Sequence, residues 1–135
     1  MIDQKTIEVL EECSERSANE TITFPEVVQK LSSVGVDFYY ADLYQHLRIY
    51  YFPNDDVHTT KSEGLEPRVP AVILSGDGVS AAVKRIQRGE TKYRTFLREI
   101  LDAGTATYSV YISGKRAVYT GRQGDAYTEW FPGAR

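Results

Sequence analysis

The sequence predicts a single α+β domain in which helices pack on a mainly antiparallel sheet. Three observations support this prediction. A helix followed by a tyrosine-rich β-hairpin occurs twice, and the second copy begins 69 residues after the first. The 135 residues have the size of one ordinary domain. Hydrophobic residues at 41% and charged residues at 26% are near globular averages, which disfavours both disorder and a fibrous protein.

The two copies align without a gap, one from Thr23 and the other from Lys92. Residues of like character coincide at eight positions, which pair Phe24 with Tyr93, Val27 with Phe96, Val28 with Leu97, Leu31 with Ile100, Gly35 with Gly104, Tyr39 with Tyr108, Leu43 with Ile112 and Tyr50 with Tyr119. We therefore expect an internal duplication, with pseudo-equivalent halves at about 23–52 and 92–121 in one domain spanning 1–135.

The segment before the first copy, from Ile2 to about Arg16, predicts a helix that packs outside the sheet. It places Ile7, Leu10 and Cys13 on one face and acidic residues on the other. Cys13 is the single cysteine, so we expect a reduced core thiol in a cytoplasmic protein. The first residues lack a basic leader with an apolar run, and no run approaches 18 apolar residues, so neither secretion nor a membrane span is predicted.

The helix of the first copy is predicted to begin near Thr23. Thr23 and Glu26 have the spacing of a capping box, and Pro25 is tolerated in a first helical turn. Gly35 and Gly104 stand where a left-handed residue ends each helix.

Each glycine is followed by two runs rich in Tyr, Val and Ile around a polar turn, which predicts a hairpin. In the second copy a turn at 121–125 leads to an extra C-terminal strand at about 126–131. The first copy shows no equivalent strand, so residues 54–70 are predicted to be a loop. Residues 69–74 are a candidate returning strand, and residues 80–88 a short helix that Gly89 closes.

Motifs across both copies carry a resemblance. They are the helix end Ile86 to Gly89, Tyr93 with Phe96, Ala103-Gly104 before Tyr108, Gly114 with Arg116 and Tyr119, Gly121-Arg122, Glu129 with Phe131-Pro132, and in the first copy Phe24-Pro25, Gly35-Val36, Tyr39, Asp42-Leu43 and Tyr50-Tyr51. With them the chain resembles, from about residue 23 onward except at 57–78, a bacterial domain family of unknown function often labelled phage envelope protein. The resemblance implies a compact bacterial α+β protein and no established catalytic residues.

The most suggestive motif is the glycine-rich stretch from Gly76 to Ala81. Its G-x-G-x-x-A pattern lies between a candidate strand and a helix, as in a dinucleotide-binding loop. A dinucleotide fold requires a parallel strand afterwards, whereas an antiparallel hairpin follows here. A flexible turn with a helix N-cap at Asp77 or Ser80 is therefore the favoured interpretation.

Catalytic and metal-binding motifs are absent from the sequence. His46 falls in the first hairpin turn and His58 in a loop, and with Cys13 they have no metal-ligand spacing, so no metal or other cofactor is predicted. No G-x-S-x-G, P-loop or H-E-x-x-H occurs. An enzyme is disfavoured, although Ser, His and Asp side chains that are distant in sequence can still meet in a fold.

Aromatic residues are the most informative feature for function. Strand alternation places Tyr39 on one face of the first strand and Tyr40 on the other. One face should be core, and the other is either a contact surface or an ordinary strand surface, because Tyr suits both interfaces and strands. The candidate ligand or interface residues are Tyr39, Tyr40, Asp42, Tyr108, Tyr111, Arg122, Tyr127, Glu129 and Trp130.

Charge is unevenly distributed along the chain. Residues 84–135 hold ten basic and five acidic residues, whereas the net charge of the whole is −3 and the pI about 5.4. The basic excess at 84–98 is predicted to meet the acidic N-terminal region of the same chain or of another copy, and nucleic acid is the less favoured partner. Arg122 and Glu129 are expected to pair across the last hairpin.

These patterns favour a non-catalytic cytoplasmic protein that binds a partner or self-associates, with a homodimer expected through the aromatic strand surface. One alternative is a small-ligand binder or enzyme with a pocket between the halves. The other is nucleic-acid binding through residues 84–98. No membrane partner is expected.

Overall fold

The computed structural model describes residues 1–134, which form four helices and one six-stranded antiparallel sheet. The predicted α+β single-domain class is confirmed. In chain order the elements are α1 (Gln4–Ala18), α2 (Phe24–Ser33), β1 (Phe38–Asp42), β2 (Leu47–Tyr51), β3 (Val57–Lys61), α3 (Gly76–Gln87), α4 (Tyr93–Asp102), β4 (Thr105–Tyr111), β5 (Arg116–Gly121) and β6 (Ala126–Trp130).

The sheet has the strand order β3-β2-β1-β4-β5-β6. Each half contributes a three-stranded meander, and the two meanders join where β1 pairs with β4. At this seam Tyr39 stands opposite Val110, and Ala41 opposite Tyr108. The two halves therefore share one continuous sheet and one core.

The 69-residue offset also relates the element boundaries. Both ends of α2 and α4 differ by 69 residues, and so do both ends of β3 and β6. Residues with positive φ repeat at the same offset, because they pair Glu20 with Gly89, Gly35 with Gly104, His46 with Lys115, Asp55 with Gly124, and Gly64 with Gly133. The halves thus have the same local backbone plan. A common origin by duplication stays a prediction.

The helix boundaries follow from local capping. The Thr23 side chain accepts a hydrogen bond from Glu26 N, and the Glu26 carboxylate accepts one from Thr23 N, so the predicted capping box is confirmed. Gly35 and Gly104 follow α2 and α4 with φ of 85° and 95°, as predicted for glycines that end helices.

The helices cover one face of the sheet, and the core lies between them and that face. Buried and half-buried residues alternate along β1, β2 and β5. Tyr39 and Tyr50 are fully buried on the covered face, together with Leu10, Leu31 and Ile100 from the helices. On the opposite face, which we call the open face, the strand residues are half-buried or exposed.

Two predictions about the middle of the chain are wrong. The first half does have a third strand, β3, because Val57, Thr59 and Thr60 are β-branched and pair with β2 at the edge of the sheet. His58 consequently lies in a strand and not in a loop. Residues 69–74 form no strand, because this segment is held against the end of α4 by hydrogen bonds from Ala71 N to Leu101 O and from Ser75 N to Ala103 O.

The glycine-rich motif opens α3 as a capping structure. The helix begins at Gly76, earlier than predicted, and its N-cap is Ser75, whose hydroxyl accepts a hydrogen bond from Gly78 N at 3.0 Å. The predicted caps Asp77 and Ser80 are therefore wrong. A Cβ on Gly78 would lie 2.9 Å from the Ala103 side chain, so close helix packing accounts for this glycine.

Candidate functional site

A partly enclosed cavity of about 490 Å³ lies between the covered face of the sheet and the helices. This volume falls within the range of small-molecule sites in proteins. The floor comes from the strands and consists of Tyr39, Arg48, Tyr108, Ala117 and Tyr119. The walls are mainly apolar and include Phe24 and Val27 of α2, Val83 and Ile86 of α3, and Tyr93 and Phe96 of α4. The cavity spans both halves of the molecule.

Arg48 is the charged residue on the cavity floor. It lies on β2 two residues before Tyr50 and so points to the covered face, where only 4% of its surface is exposed. Its guanidinium carbon is 5.3 Å from the ring centre of Tyr39 and 5.5 Å from that of Tyr93. These distances suit cation–π contacts with both rings.

The hydrogen-bonding capacity of Arg48 is mostly unused. Nη2 donates to the Tyr93 hydroxyl at 3.2 Å, whereas Nε and Nη1 are buried and find no acceptor in residues 1–134. None of the ion pairs in this part of the chain includes Arg48. Buried charges in proteins are normally paired, so an unpaired guanidinium facing a cavity indicates a missing anionic partner.

The Arg48 side chain stays charged under ordinary conditions. Burial acts to lower the pKa of its guanidinium, but the surrounding tyrosine oxygens, of which Tyr93 has the largest effect, raise it above the usual value. An arginine is in any case effectively always protonated. The cavity therefore contains a permanent positive charge in apolar surroundings.

Three tyrosines of the floor, Tyr39, Tyr108 and Tyr119, surround this charge, and we call them the cavity tyrosines. Their rings form a chain of contacts, 6.4 Å between the centres of Tyr39 and Tyr108 and 5.5 Å between Tyr108 and Tyr119. Burial raises the pKa of all three hydroxyl groups, so they remain neutral donors. They add hydrogen-bonding groups to an otherwise apolar floor.

The cavity exists partly because the two halves differ at one matched position. Ala117 occupies the place in the second half that Arg48 occupies in the first, 69 residues earlier. Both residues line the cavity, and the small Ala117 side chain leaves room beside Tyr119. One half thus supplies the charge and the other supplies space.

The rim of the cavity lies next to the C-terminal residues. Glu129, Trp130, Phe131 and Pro132 contribute to the lining, and the Phe131 ring meets that of Phe24 edge to face at 5.5 Å between centres. The Glu129 carboxylate accepts a hydrogen bond from the Tyr127 hydroxyl at 3.0 Å. The rim therefore combines aromatic surface with one acidic group.

The sequence-predicted residues divide between three places. Tyr39, Tyr108, Glu129 and Trp130 line the cavity. Tyr40, Asp42 and Tyr111 belong to the open face, where the Asp42 carboxylate caps the following turn by accepting from Tyr44 N and Gln45 N. Tyr127 packs on Gly76 beside the cavity, and Arg122 lies exposed in the last turn.

The predicted ion pair between Arg122 and Glu129 is wrong. Glu129 stands opposite Ala117 in the register of β5 and β6, away from the turn that holds Arg122. Its carboxylate instead interacts with Tyr127.

The central residues that sequence reasoning missed are Arg48 and Tyr93. A signal for Arg48 was available, because alternation places it on the same face as Tyr50, which the repeat had marked as core. An arginine at an inward strand position is unusual and indicates a special role. Tyr93 had been recognised only as the counterpart of Phe24 in the repeat.

The basic segment 84–98 is engaged within the chain. Arg85 pairs with Glu99 at 3.2 Å and Arg88 with Glu90 at 2.6 Å. Arg94 donates to the backbone oxygens of Ala18 and Gly64. These contacts join the segment to its surroundings and leave less charge for a nucleic-acid surface.

A wider depression of about 600 Å³ lies outside the core, between α2 and residues 131–134. It opens broadly to solvent, and its one charged lining residue is Lys115. Residues 1–134 include no group of three or more His, Cys, Asp or Glu placed to hold a metal ion. We therefore regard the Arg48 cavity as the candidate site.

Neither the protein-family models nor the curated proteins match this chain. Within residues 1–134, every helix is too short or too polar to cross a bilayer.

Proposed function

We propose that this protein binds a small amphipathic organic anion in the cavity around Arg48. The observation that carries the proposal is the buried guanidinium with two N–H groups that lack acceptors. A carboxylate or phosphate entering the cavity would accept hydrogen bonds from Nε and Nη1, which are on adjacent positions of the guanidinium fork.

The rest of the cavity determines what is attached to that anionic group. Its walls are apolar and aromatic, with Val83, Ile86 and Phe96 among the lining residues, so the body of the ligand should be apolar. A purely polar anion such as free sulfate would leave this surface unused. No nucleophile with an adjacent base is found among the floor residues, so the proposal is a binding function without catalysis.

Octanoate and octanol provide a direct test, because the two probes differ in charge and have chains of the same length. Binding can be followed by calorimetry or by the fluorescence of Trp130, which is the single tryptophan and lines the cavity. We expect octanoate to bind at least about tenfold more tightly than octanol, since a charged hydrogen bond contributes about 1.5–3 kcal/mol.

Two variants assign the charge preference to its residue. Arg48→Met keeps an unbranched apolar side chain in the cavity but should abolish the preference for octanoate. Arg122→Met is the matched control, because Arg122 is exposed in the last turn, and it should retain the preference. Octanoate binding that survives Arg48→Met unchanged would remove the basis of the proposal.

A second candidate function is self-association through the open face of the sheet. Phe38 stacks on Tyr51 at 4.5 Å and on Tyr111 at 5.5 Å between ring centres, which forms a row of three rings across β2, β1 and β4. Helices cover only the other face, so these half-buried rings are available to a second copy. Aromatic residues are enriched in the cores of such interfaces.

Molar mass from light scattering at micromolar concentration tests this second function. The expected result is a dimer that dissociates in the Tyr40→Ser/Tyr111→Ser double variant. Tyr44→Ser is the control, because Tyr44 is exposed in the first hairpin turn. A monomeric wild-type protein at this concentration contradicts self-association and leaves the cavity proposal unaffected.

A further inference from the structure

We infer that the ligand of the Arg48 cavity is bipolar, with a cationic or hydrogen-bond-donating group that Glu129 binds at the end opposite the anion. This inference rests on the proposed function, which fixes the anionic end at Arg48. It is motivated by the half-buried carboxylate of Glu129, which lines the same cavity.

Glu129 has hydrogen-bonding capacity to spare for a ligand. Its Oε1 accepts one hydrogen bond, from the Tyr127 hydroxyl, and it takes part in none of the ion pairs of residues 1–134. A carboxylate offers about four acceptor sites, so most of its capacity is unused. The Tyr127 hydrogen bond fixes the orientation of the carboxylate at the rim.

The sheet register sets the distance between the two charged groups. Arg48 lies on β2 and Glu129 on β6, four strands apart, and neighbouring strands are about 4.8 Å apart. The guanidinium reaches back over Tyr39 of β1, which leaves roughly three strand spacings, or about 14 Å, between the groups. After hydrogen-bond lengths of about 3 Å at each end, a ligand about 8 Å long between its polar termini fits this span.

The chemistry between the two ends restricts the ligand further. Tyr108 and Ala117 lie along the path between Arg48 and Glu129 on the cavity floor. A ligand with charges at both ends and an apolar or aromatic middle uses each part of this floor. Such a ligand belongs to the class of ω-amino acids and similarly terminated molecules, in contrast to a simple fatty acid.

A comparison of 8-aminooctanoate with octanoate tests the inference, because the two probes share the carboxylate and the chain and differ in the terminal ammonium. Calorimetry on the full chain should show 8-aminooctanoate binding about tenfold more tightly than octanoate. Glu129→Gln should bring the ratio of the two affinities close to one. Glu66→Gln is the control, because the Glu66 side chain is 75% exposed, and it should keep the wild-type ratio.

The outcomes separate the two proposals. If octanoate binds in an Arg48-dependent way but 8-aminooctanoate binds no better, or if Glu129→Gln does not change the ratio, the bipolar ligand is refuted and the anion site stands. If neither probe binds, the anion site itself is refuted. Circular dichroism of each variant establishes that the fold is retained, since Glu129 lies on an edge strand.

Discussion

Replacement of Arg48 by methionine should make the unliganded protein more stable. A side chain kept only for the fold would lower stability when it is removed. A binding group held unpaired in the free protein has the opposite effect, because its burial is unfavourable until the ligand arrives. The stability of Arg48→Met therefore distinguishes the two roles without any ligand.

The magnitude follows from the contacts of the guanidinium. On the favourable side are one hydrogen bond to Tyr93 at 3.2 Å and ring contacts with Tyr39 and Tyr93 at 5.3 and 5.5 Å, about 1–2 kcal/mol for each kind of contact. Against them are two buried donors without acceptors, about 1–3 kcal/mol each, and the desolvation of a charge, several kcal/mol more. We expect Arg48→Met to gain about 1–3 kcal/mol, since methionine replaces the buried volume without these penalties.

Urea denaturation and thermal melting measure this gain directly. For a chain of this length it corresponds to an increase in Tm of about 4–12 °C. Arg122→Met, in an exposed turn, should remain within about 0.5 kcal/mol of wild type. Octanoate should raise the Tm of the wild-type protein and not that of Arg48→Met. A loss of about 2 kcal/mol or more in Arg48→Met would show that the guanidinium is a structural group and refute the reasoning.

Three further predictions concern the scaffold. Gly104→Ala should cost more than about 3 kcal/mol, because its Cβ would lie 2.3 Å from the Ile73 carbonyl oxygen, whereas Gly35→Ala, which has open space at φ +85°, should cost only about 1–2 kcal/mol; equal losses in urea denaturation would contradict this. The cavity tyrosines have folded pKa values above the unfolded value near 10, so their stabilising effect is complete below pH 10 and is lost above it, by about 4 kcal/mol per pH unit for the three. Tyrosinate absorbance should therefore show them ionising together with unfolding, and gradual ionisation with intact circular dichroism would be contrary evidence. Cys13, fully buried and with a thiol pKa raised by burial, should react with a thiol reagent only after unfolding; immediate reaction of the native protein would show that the core is open at this point.

Much of the fold could be predicted from signals that lie within a few residues. The capping box at Thr23 and the glycines at 35 and 104 fix the ends of their helices, because these effects depend on the backbone of one turn. Ser75 was missed as the cap of α3 because Asp77 and Ser80 are equally suitable residue types. The choice between them depends on the approach of Gly78 to Ala103, which is a tertiary contact.

The candidate site could be predicted only in part. Strand alternation identified Tyr39 and Tyr108, and the aromatic C-terminal strand drew attention to Glu129 and Trp130. Arg48 was missed, because strand periodicity shows which face a residue is on but not whether its charge finds a partner there. That depends on which helix lies above it, and Tyr93 of α4 is 45 residues away in sequence.

By itself the sequence determined the repeated local plan of this protein, namely the helix ends, the hairpins and the spacing of 69 residues. These features depend on side-chain alternation and backbone preferences over short distances. Only the tertiary structure decided that β1 pairs with β4, that residues 57–61 form an edge strand, and that Arg48 and Glu129 share one cavity. Strand pairing and the burial of a charge depend on contacts between distant segments, and no local pattern specifies which segments meet.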